Sequence, residues 1–330
     1  MAYVRLKDIA ARAGVSINTV SRALKGKSDI GLDTIRKIKK IADEMGYVPD
    51  AAAVSLRSRT SKAVGVIITY IDNAFFARIL QGINDVLSMH GYTIITLASN
   101  EDLDKETEIL KLLTAYRVAG IMLVPSRDLI SEFDYDGLRV PHITIVRKGS
   151  LNTESYFITD SFSSGTLAGQ HAIQSGRRYP AYLGFNLPVS CNRSRQEGYM
   201  KTLEQAGLGI GDNEIRMCPA TAEDAYTTTL DWFRNNPRID FLFVYNDQMA
   251  IGVLHALHDL GIKVPDDVSV LGHDDIEAAR HIVPSISTIR VPKYRLGHES
   301  ASHLMNLIRH RGIQNTTNTV YEPELVVRNT

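Results

Sequence analysis

From residue 63 onward the chain alternates between short apolar runs and amphipathic helical stretches, and that rhythm admits few folds. The runs AVGVIITY, YTIITLAS, GIMLVP and HITIV are β-rich and carry no charge between their ends, as parallel strands covered on both faces do. Between them lie ILQGINDVLSMHG and TEILKLLTAYR, with apolar residues at helical spacing. A second series begins near Asp160 with SSGTLAGQHAIQSG, AYLGF, RQEGYMKTLEQAG and EIRMC. It continues with TTTLDWFRNN, DFLFVY, MAIGVLHALHDLG and VSVLGH. Strand–helix alternation of this length predicts an α/β body of doubly wound parallel sheets over residues 63–330. The 330-residue length, at about 150 residues per domain, predicts roughly two domains.

The part before residue 63 differs in charge. Residues 1–62 hold 13 Lys and Arg against 6 Asp and Glu, whereas residues 63–330 hold 24 against 31. A basic head on an acidic body points to a polyanionic partner for the head, with a solvated charged face as the bland alternative. Apolar residues at 44% and charged residues at 22% argue against a disordered or collagen-like chain. No run approaches the ~18 apolar residues of a membrane span. The start, MAYVRLKDIAARAG, lacks the apolar core of an export signal, so the expected location is cytoplasmic. Two cysteines, Cys191 and Cys218, make neither a disulfide framework nor a Cys-based zinc site.

The head reads as three short helices and a weaker fourth. Leu6, Ile9, Ala10 and Ala13 share one helical face, and Gly14 can end that helix in a left-handed cap. Ser16 suits the N-cap of a second helix through Val20, Ala23 and Leu24. A third runs from about Leu32 to Met45, with Ile35, Ile38, Ile41, Ala42 and Met45 inward and Arg36, Lys37, Lys39 and Lys40 outward. Ala10, Gly14 and Val20 have helix-turn-helix spacing: a small residue at the crossing, a glycine in the turn, an aliphatic plug. In that motif the second helix enters the major groove by its N-terminal residues. Here those are Ser16, Ile17, Asn18, Thr19, Ser21 and Arg22. Asn can pair with adenine, Arg with guanine, and Ile17 can touch a thymine methyl.

With these residues in hand, the sequence resembles the LacI/GalR (lactose repressor) family. The resemblance rests on LKDIAARAGVSINTVSRALKGK and TIRKIKKIADEMGYVPD in the head. In the body it rests on VGVIITYIDNAFFARILQGI, RQEGY, FVYNDQMAIGVLHAL, VPDDVSVLGHDD, PSISTIRVPKYRLG and EPELVVR. It implies a helix-turn-helix head (1–49), a hinge helix and linker (50–62), and a two-lobed, periplasmic-binding-protein-like body (63–330). The N-lobe would take about 63–159 and 291–320, and the C-lobe about 160–290 and 321–330. It implies that Ile17, Asn18 and Arg22 read operator bases while Ser16, Thr19 and Ser21 hold phosphates. Ala53, Leu56 and Arg57 stand on the family's hinge helix, with Leu56 where a leucine wedges into the minor groove and kinks the duplex. Val54 departs from the family, where many members carry Arg. The stretch AAAVSLRSR is short and poor in apolar residues, so alone it is marginal as a helix and suited to folding on a partner. Partners implied are double-stranded palindromic operator DNA, a second copy of the chain, and a small sugar, sugar acid or sugar phosphate as effector.

In open α/β sheets ligands sit beyond the carboxyl ends of strands. Asn246 and Asp274 lie just past such ends, and Arg195 opens a helix where its fork can bond two hydroxyls or a carboxylate. By resemblance these three are effector positions, and Asn73, Phe75 and Phe76 occupy the loop that packs an aromatic on the ligand. Arg147 and Asp160 are further wall candidates. For each lone polar residue, Asp247 included, a helix cap or surface loop is the alternative. Arg147 with Arg195 would favour an anionic ligand unless either is paired internally. His273 stands where the family has an aromatic; it adds a donor at the cleft edge or fills the space between lobes.

Enzyme patterns are set aside. Gly207, Gly209 and Gly211 form G-x-G-x-G after a helix, which is no dinucleotide fingerprint. His255 and His258 lack a nearby third ligand, and there is no nucleophile elbow, P-loop or H-E-x-x-H. The reading expects no catalytic residue, cofactor or metal. Three alternatives remain: a global regulator controlled by a protein partner, a solute-binding protein without DNA function, and a sugar enzyme with a DNA-like head. The basic head argues against the second, and the lack of a catalytic constellation against the third.

Overall fold

The computed structural model describes residues 4–48, 61–126, 138, 140–149, 155–235, 238–310 and 316–330. The chain divides into a head, Met1–Ser61, and a body, Lys62–Thr330. The hinge segment, with Ala53, Leu56 and Arg57, lies outside the described residues.

The head has α1 (Leu6–Ala13), α2 (Ile17–Leu24) and α3 (Leu32–Glu44). Ile9, Ala10, Ala13, Val20, Ala23, Ile38 and Ala42 form its core. Gly14 sits at φ 73° and its N–H reaches the Ala10 carbonyl at 3.0 Å, a left-handed stop that most L residues resist. Ser16 then caps α2, its hydroxyl accepting the Thr19 N–H at 3.0 Å. The helix, turn and plug positions are those expected from spacing.

The body holds two six-stranded sheets. The first contains β1 (Ala63–Ile68), β2 (Thr93–Ala98), β3 (Gly120–Leu123), β4 (His142–Val146), β5 (Ser155–Thr159) and a late strand, β11 (Asn318–Tyr321). Its order is β11-β5-β4-β3-β1-β2, all parallel. The helices α4 (Ala74–Met89) and α5 (Leu103–Ala115) connect its first strands. The second sheet contains β6 (Pro180–Phe185), β7 (Ile215–Cys218), β8 (Phe241–Val244), β9 (Ser269–Asp274), β10 (Ser287–Arg290) and β12 (Glu324–Val326). Its order is β12-β10-β9-β8-β6-β7, with only β12 antiparallel. Its helices are α6 (Ser161–Gln174), α7 (Ser190–Gln205), α8 (Ala222–Asn235), α9 (Asp247–Asp259) and the short α10 (Glu277–His281). The last helix, α11 (Lys293–Arg309), returns to the first lobe and packs on α4.

Both sheets are covered on both faces, which is why their strands read as continuous apolar runs. On β1, Val64, Val66 and Ile68 face one cluster and Ile67 another, the latter shared with Leu110 and Leu113. In the second lobe Tyr182, Phe243 and Leu271 pack with Tyr199 and Leu203. The chain crosses between lobes three times, after β5, β10 and β11. At the first crossing the Asp160 N–H bonds the Tyr321 carbonyl at 2.9 Å, so two crossings are tied together. Close approach of α6 and α7 depends on two glycines. A Cβ on Gly165 would lie 2.0 Å from the Arg195 carbonyl oxygen, and one on Gly198 2.1 Å from that of Phe162. That contact fixes where the Arg195 backbone stands.

Candidate functional sites in head and cleft

The head presents the N-terminal half of α2. Ser16, Ile17, Asn18 and Arg22 are exposed while Val20 and Ala23 are buried, and Ile17 is 51% exposed. An exposed isoleucine beside Asn and Arg is apolar surface outside the head's core cluster. The Ser16 and Thr19 hydroxyls lie 2.8 Å apart at the helix N-terminus, where backbone N–H groups and the dipole favour a phosphate. Arg22 is ion-paired with Asp29, both half exposed, and the arginine holds the Asp29 carboxyl below its usual range.

In the body the carboxyl ends of both sheets meet at a cleft with an empty volume of ≈ 700 Å³, its open mouth included. The first lobe contributes Thr69 and Tyr70 after β1, Val124 after β3, Arg147 after β4, and the start of α4. The second contributes Phe185, Cys191, Arg195, Tyr245, Asn246, His273 and Asp274.

Arg147 and Arg195 both line the cleft but stand in different settings. Arg147 makes a fork-on-fork pair with Glu101, Nη1 to Oε2 and Nη2 to Oε1, each at 2.7 Å. Its Nη1 also donates to the Pro125 carbonyl at 3.0 Å. Both partners are buried, and although burial opposes the arginine's charge, the Glu101 bonds raise its pKa. Arg147 is thus paired internally, which removes the premise of an anion-reading pair. Arg195 has no carboxylate partner among the described residues. Its Nη1 donates to the Tyr245 carbonyl, its guanidinium lies 4.8 Å from the Tyr245 ring centre, and its buried Nε has no partner among the described residues. Tyr245 in turn stacks on Phe185 at 5.3 Å.

Asp274 ends β9 at φ 108°, an unusual angle for a non-glycine residue. Its backbone carbonyl is held by the Lys293 ammonium, which also donates to the Asp275 carbonyl at 3.0 Å. Burial lowers the Lys293 pKa, against the pull of the nearby aspartates. Asp275 points away and is clamped by Arg328, Arg290 and Arg280, which outweigh its burial and keep it ionised. Beneath lies Asp247, fully buried, accepting from Thr288 Oγ1 at 2.7 Å and the Ile276 N–H at 2.9 Å. Burial and then the Asp274 charge push its carboxyl up to about 8.

Three other candidates serve as caps. Asn73 begins α4 and accepts the Phe75 N–H at 2.9 Å, while Asn246 begins α9 and accepts the Met249 N–H at 2.9 Å; both still line the cleft. Phe75 and Phe76 follow Asn73, edge to face at 5.1 Å. Asp160 is a correction: it caps α6, accepting from the Ser163 N–H at 2.9 Å and hydroxyl at 2.8 Å, and its neighbours Thr159 and Ser161 line the cleft instead. Glu101, Tyr245 and Cys191 also line the cleft, although none is an effector candidate by sequence. Glu101 sits at φ 59° within an acidic run that reads as the solvated start of a helix, so nothing local marked it as buried. Among the described residues no His, Cys, Asp and Glu group could hold a metal ion, and no helix is long and apolar enough to cross a membrane.

Comparison with known proteins bears on both units. Residues 5–50 match the family model described as bacterial regulatory proteins, lacI family, and residues 170–330 match the periplasmic binding protein-like domain. The chain is 31% identical over 332 residues to the HTH-type transcriptional repressor PurR of Haemophilus influenzae, covering 98% of this chain and 97% of that protein. A lac repressor dimer bound to operator and the anti-inducer ONPF has the same fold at TM-score 0.85 and 24% identity, covering 100% of this chain and 99% of the other. A complex of the transcriptional regulator CelR with cellobiose matches at TM-score 0.74 and 25% identity, over 99% of each chain.

Proposed function

This chain belongs to the lacI family of bacterial regulatory proteins and is a DNA-binding transcriptional repressor, not an enzyme; we propose that it acts as a homodimer on a palindromic operator, controlled by an uncharged polyhydroxylated ligand held in the body cleft. A two-fold protein reads two half-sites, which is why the family's head calls for a dimer. In this reading Ile17, Asn18 and Arg22 meet base edges, and Ser16, Thr19 and Ser21 meet phosphates. Ala53, Leu56 and Arg57 enter the minor groove, an assignment that rests on resemblance alone.

The observation that carries the ligand class is the contrast between the two arginines. Arg147 is neutralised by Glu101, so among the described first-lobe residues that line the cleft none offers a spare positive charge. Arg195 and Asp274 leave a donor and an acceptor on the opposite wall, a match for neighbouring hydroxyls of a sugar. Asn73, Asn246, Phe75 and Phe76 complete the walls, whereas a sugar acid or phosphate would meet the Asp274 carboxylate at a cost. The relative CelR is a sugar complex by its own description. A second reading, a nucleobase or nucleoside, is favoured by the aromatic rings of Tyr70, Phe76, Phe185 and Tyr245 around the cleft.

The test is a thermal-shift panel of ribose, cellobiose, gluconate, glucose phosphate, adenine and adenosine against the full chain. A compound at 100 times its Kd adds about 2.7 kcal/mol to stability. Shifts by neutral sugars alone support the first reading; shifts by adenine or adenosine support the second; shifts by the acids alone contradict both. On DNA, Arg22→Ala should cost about 1–3 kcal/mol on a duplex selected from a random pool and clearly less on random DNA. Equal loss on both would mark Arg22 as a phosphate contact.

A further inference from the structure

His273 occupies the cleft wall at a position where the family resemblance expects an aromatic ring. It is 3% exposed and both its nitrogens are engaged. Nδ1 lies 2.8 Å from Asp274 Oδ1, and Nε2 lies 3.3 Å from the Ser164 hydroxyl on α6. A carboxylate only accepts, so Nδ1 must carry the proton. Burial, the largest influence, and the nearby Arg195 and Lys293 charges push the ring's pKa down to about 4 against the pull of Asp274. The neutral ring has one N–H, given to Asp274, which leaves Nε2 as the acceptor for Ser164.

The Ser164 hydroxyl has a second choice. It lies 2.9 Å from the Asp160 carbonyl at the first crossing between lobes, a carbonyl that also accepts the Ser164 N–H at 3.1 Å. Turning the hydroxyl to His273 therefore leaves that carbonyl satisfied. Asp274 Oδ2 has no hydrogen-bond partner among the described residues, and Asp274 lines the cleft. The carboxylate is held by one oxygen and offered by the other.

We propose that His273 is a positioning residue: its Nδ1–H fixes the Asp274 carboxylate toward the cleft ligand, and its Nε2, accepting from the Ser164 hydroxyl, anchors the ring to the first turn of α6. The ring does not touch the ligand with a polar atom, because both nitrogens are spent. A phenylalanine or tyrosine ring would fill the same space and leave Asp274 free to turn. The inference rests on the cleft being the effector site.

The experiment uses the full chain with nitrogen-labelled histidine, together with the panel of compounds above. In nitrogen NMR, with His273 assigned by its loss in His273→Asn, the ring should be neutral at pH 7 and carry its proton on Nδ1. A proton on Nε2, or an imidazolium at pH 7, overturns the proposal. In ligand titrations His273→Phe should weaken the panel compound that binds wild type by about tenfold, the loss expected for a hydrogen bond to a charged group. His273→Asn, whose amide reaches the Nδ1 position, should restore most of that affinity, which a mere packing role would not. Equal affinity in wild type and His273→Phe overturns the inference alone. A wild-type protein that binds none of the panel removes the effector reading, and the inference with it.

Discussion

The two walls of the cleft solve the same problem, an arginine out of water, in opposite ways. In the first lobe Arg147 meets Glu101 with both prongs and becomes part of the wall. In the second Arg195 is given a carbonyl, an aromatic face and, among the described residues, nothing for its Nε, while the acid nearby, Asp274, is tied instead to His273. A matched arginine is a structural element whose charge no ligand can use cheaply. An incompletely matched one keeps bonding capacity that a ligand can complete.

The largest effect should come from breaking the matched side. Glu101→Ala leaves Arg147 buried without a counter-charge, and unfolding by denaturant should show a loss of about 3–5 kcal/mol. Replacing both partners by methionine should recover most of that, since the cost lies in the orphaned charge. A loss below about 1 kcal/mol in Glu101→Ala would mean the pair is solvated, and the contrast between walls would fall.

The second wall can be tested through Asp247. Its folded pKa of about 8 stands above the ordinary aspartate value, so between those limits the native state holds a proton the unfolded chain has lost. Stability should therefore fall as pH rises from about 4 to 8, by up to about 1.4 kcal/mol per pH unit from this group. The difference in stability between wild type and Asp247→Asn, followed over that window, isolates the contribution. A difference that stays flat with pH would place Asp247 in an ordinary solvated setting.

The smallest effect should come from the exposed counterpart of the buried pair. Arg22–Asp29 in the head is also an arginine with a carboxylate, but both are half exposed. Asp29→Asn should leave thermal stability unchanged, because solvent screens such pairs. It should tighten binding to random duplex DNA by removing a negative charge near phosphates. Weaker binding would show instead that Asp29 holds Arg22 in its working orientation.

Much of this was legible in the sequence, and the limits have physical causes. The head was readable because Ala10, Gly14 and Val20 each answer to a local rule of spacing or backbone angle. The sheets were readable because burial on both faces writes continuous apolar runs. The strand ends located the cleft, and Arg195, Asn246 and Asp274 line it. What could not be read was pairing at long range. Glu101 and Arg147 are 46 residues apart, and no local pattern joins them. Asp160 lies at a strand end like the others, but a serine three residues on gave its carboxylate a nearer use as a cap. The burial of Asp247 depends on Gly272, where a Cβ would lie 2.1 Å from its Oδ1, a fit visible only in three dimensions.

In the proposed reading, ligand binding in the cleft and operator binding are linked. The direct measurement is fluorescence anisotropy of the full chain on a duplex selected from a random pool, with and without the panel compound that binds the body, at fixed salt. Coupling of about 1–3 kcal/mol predicts a change in DNA affinity of roughly five- to 150-fold, in either direction. An affinity that stays the same while the cleft is saturated would show that the two sites are independent.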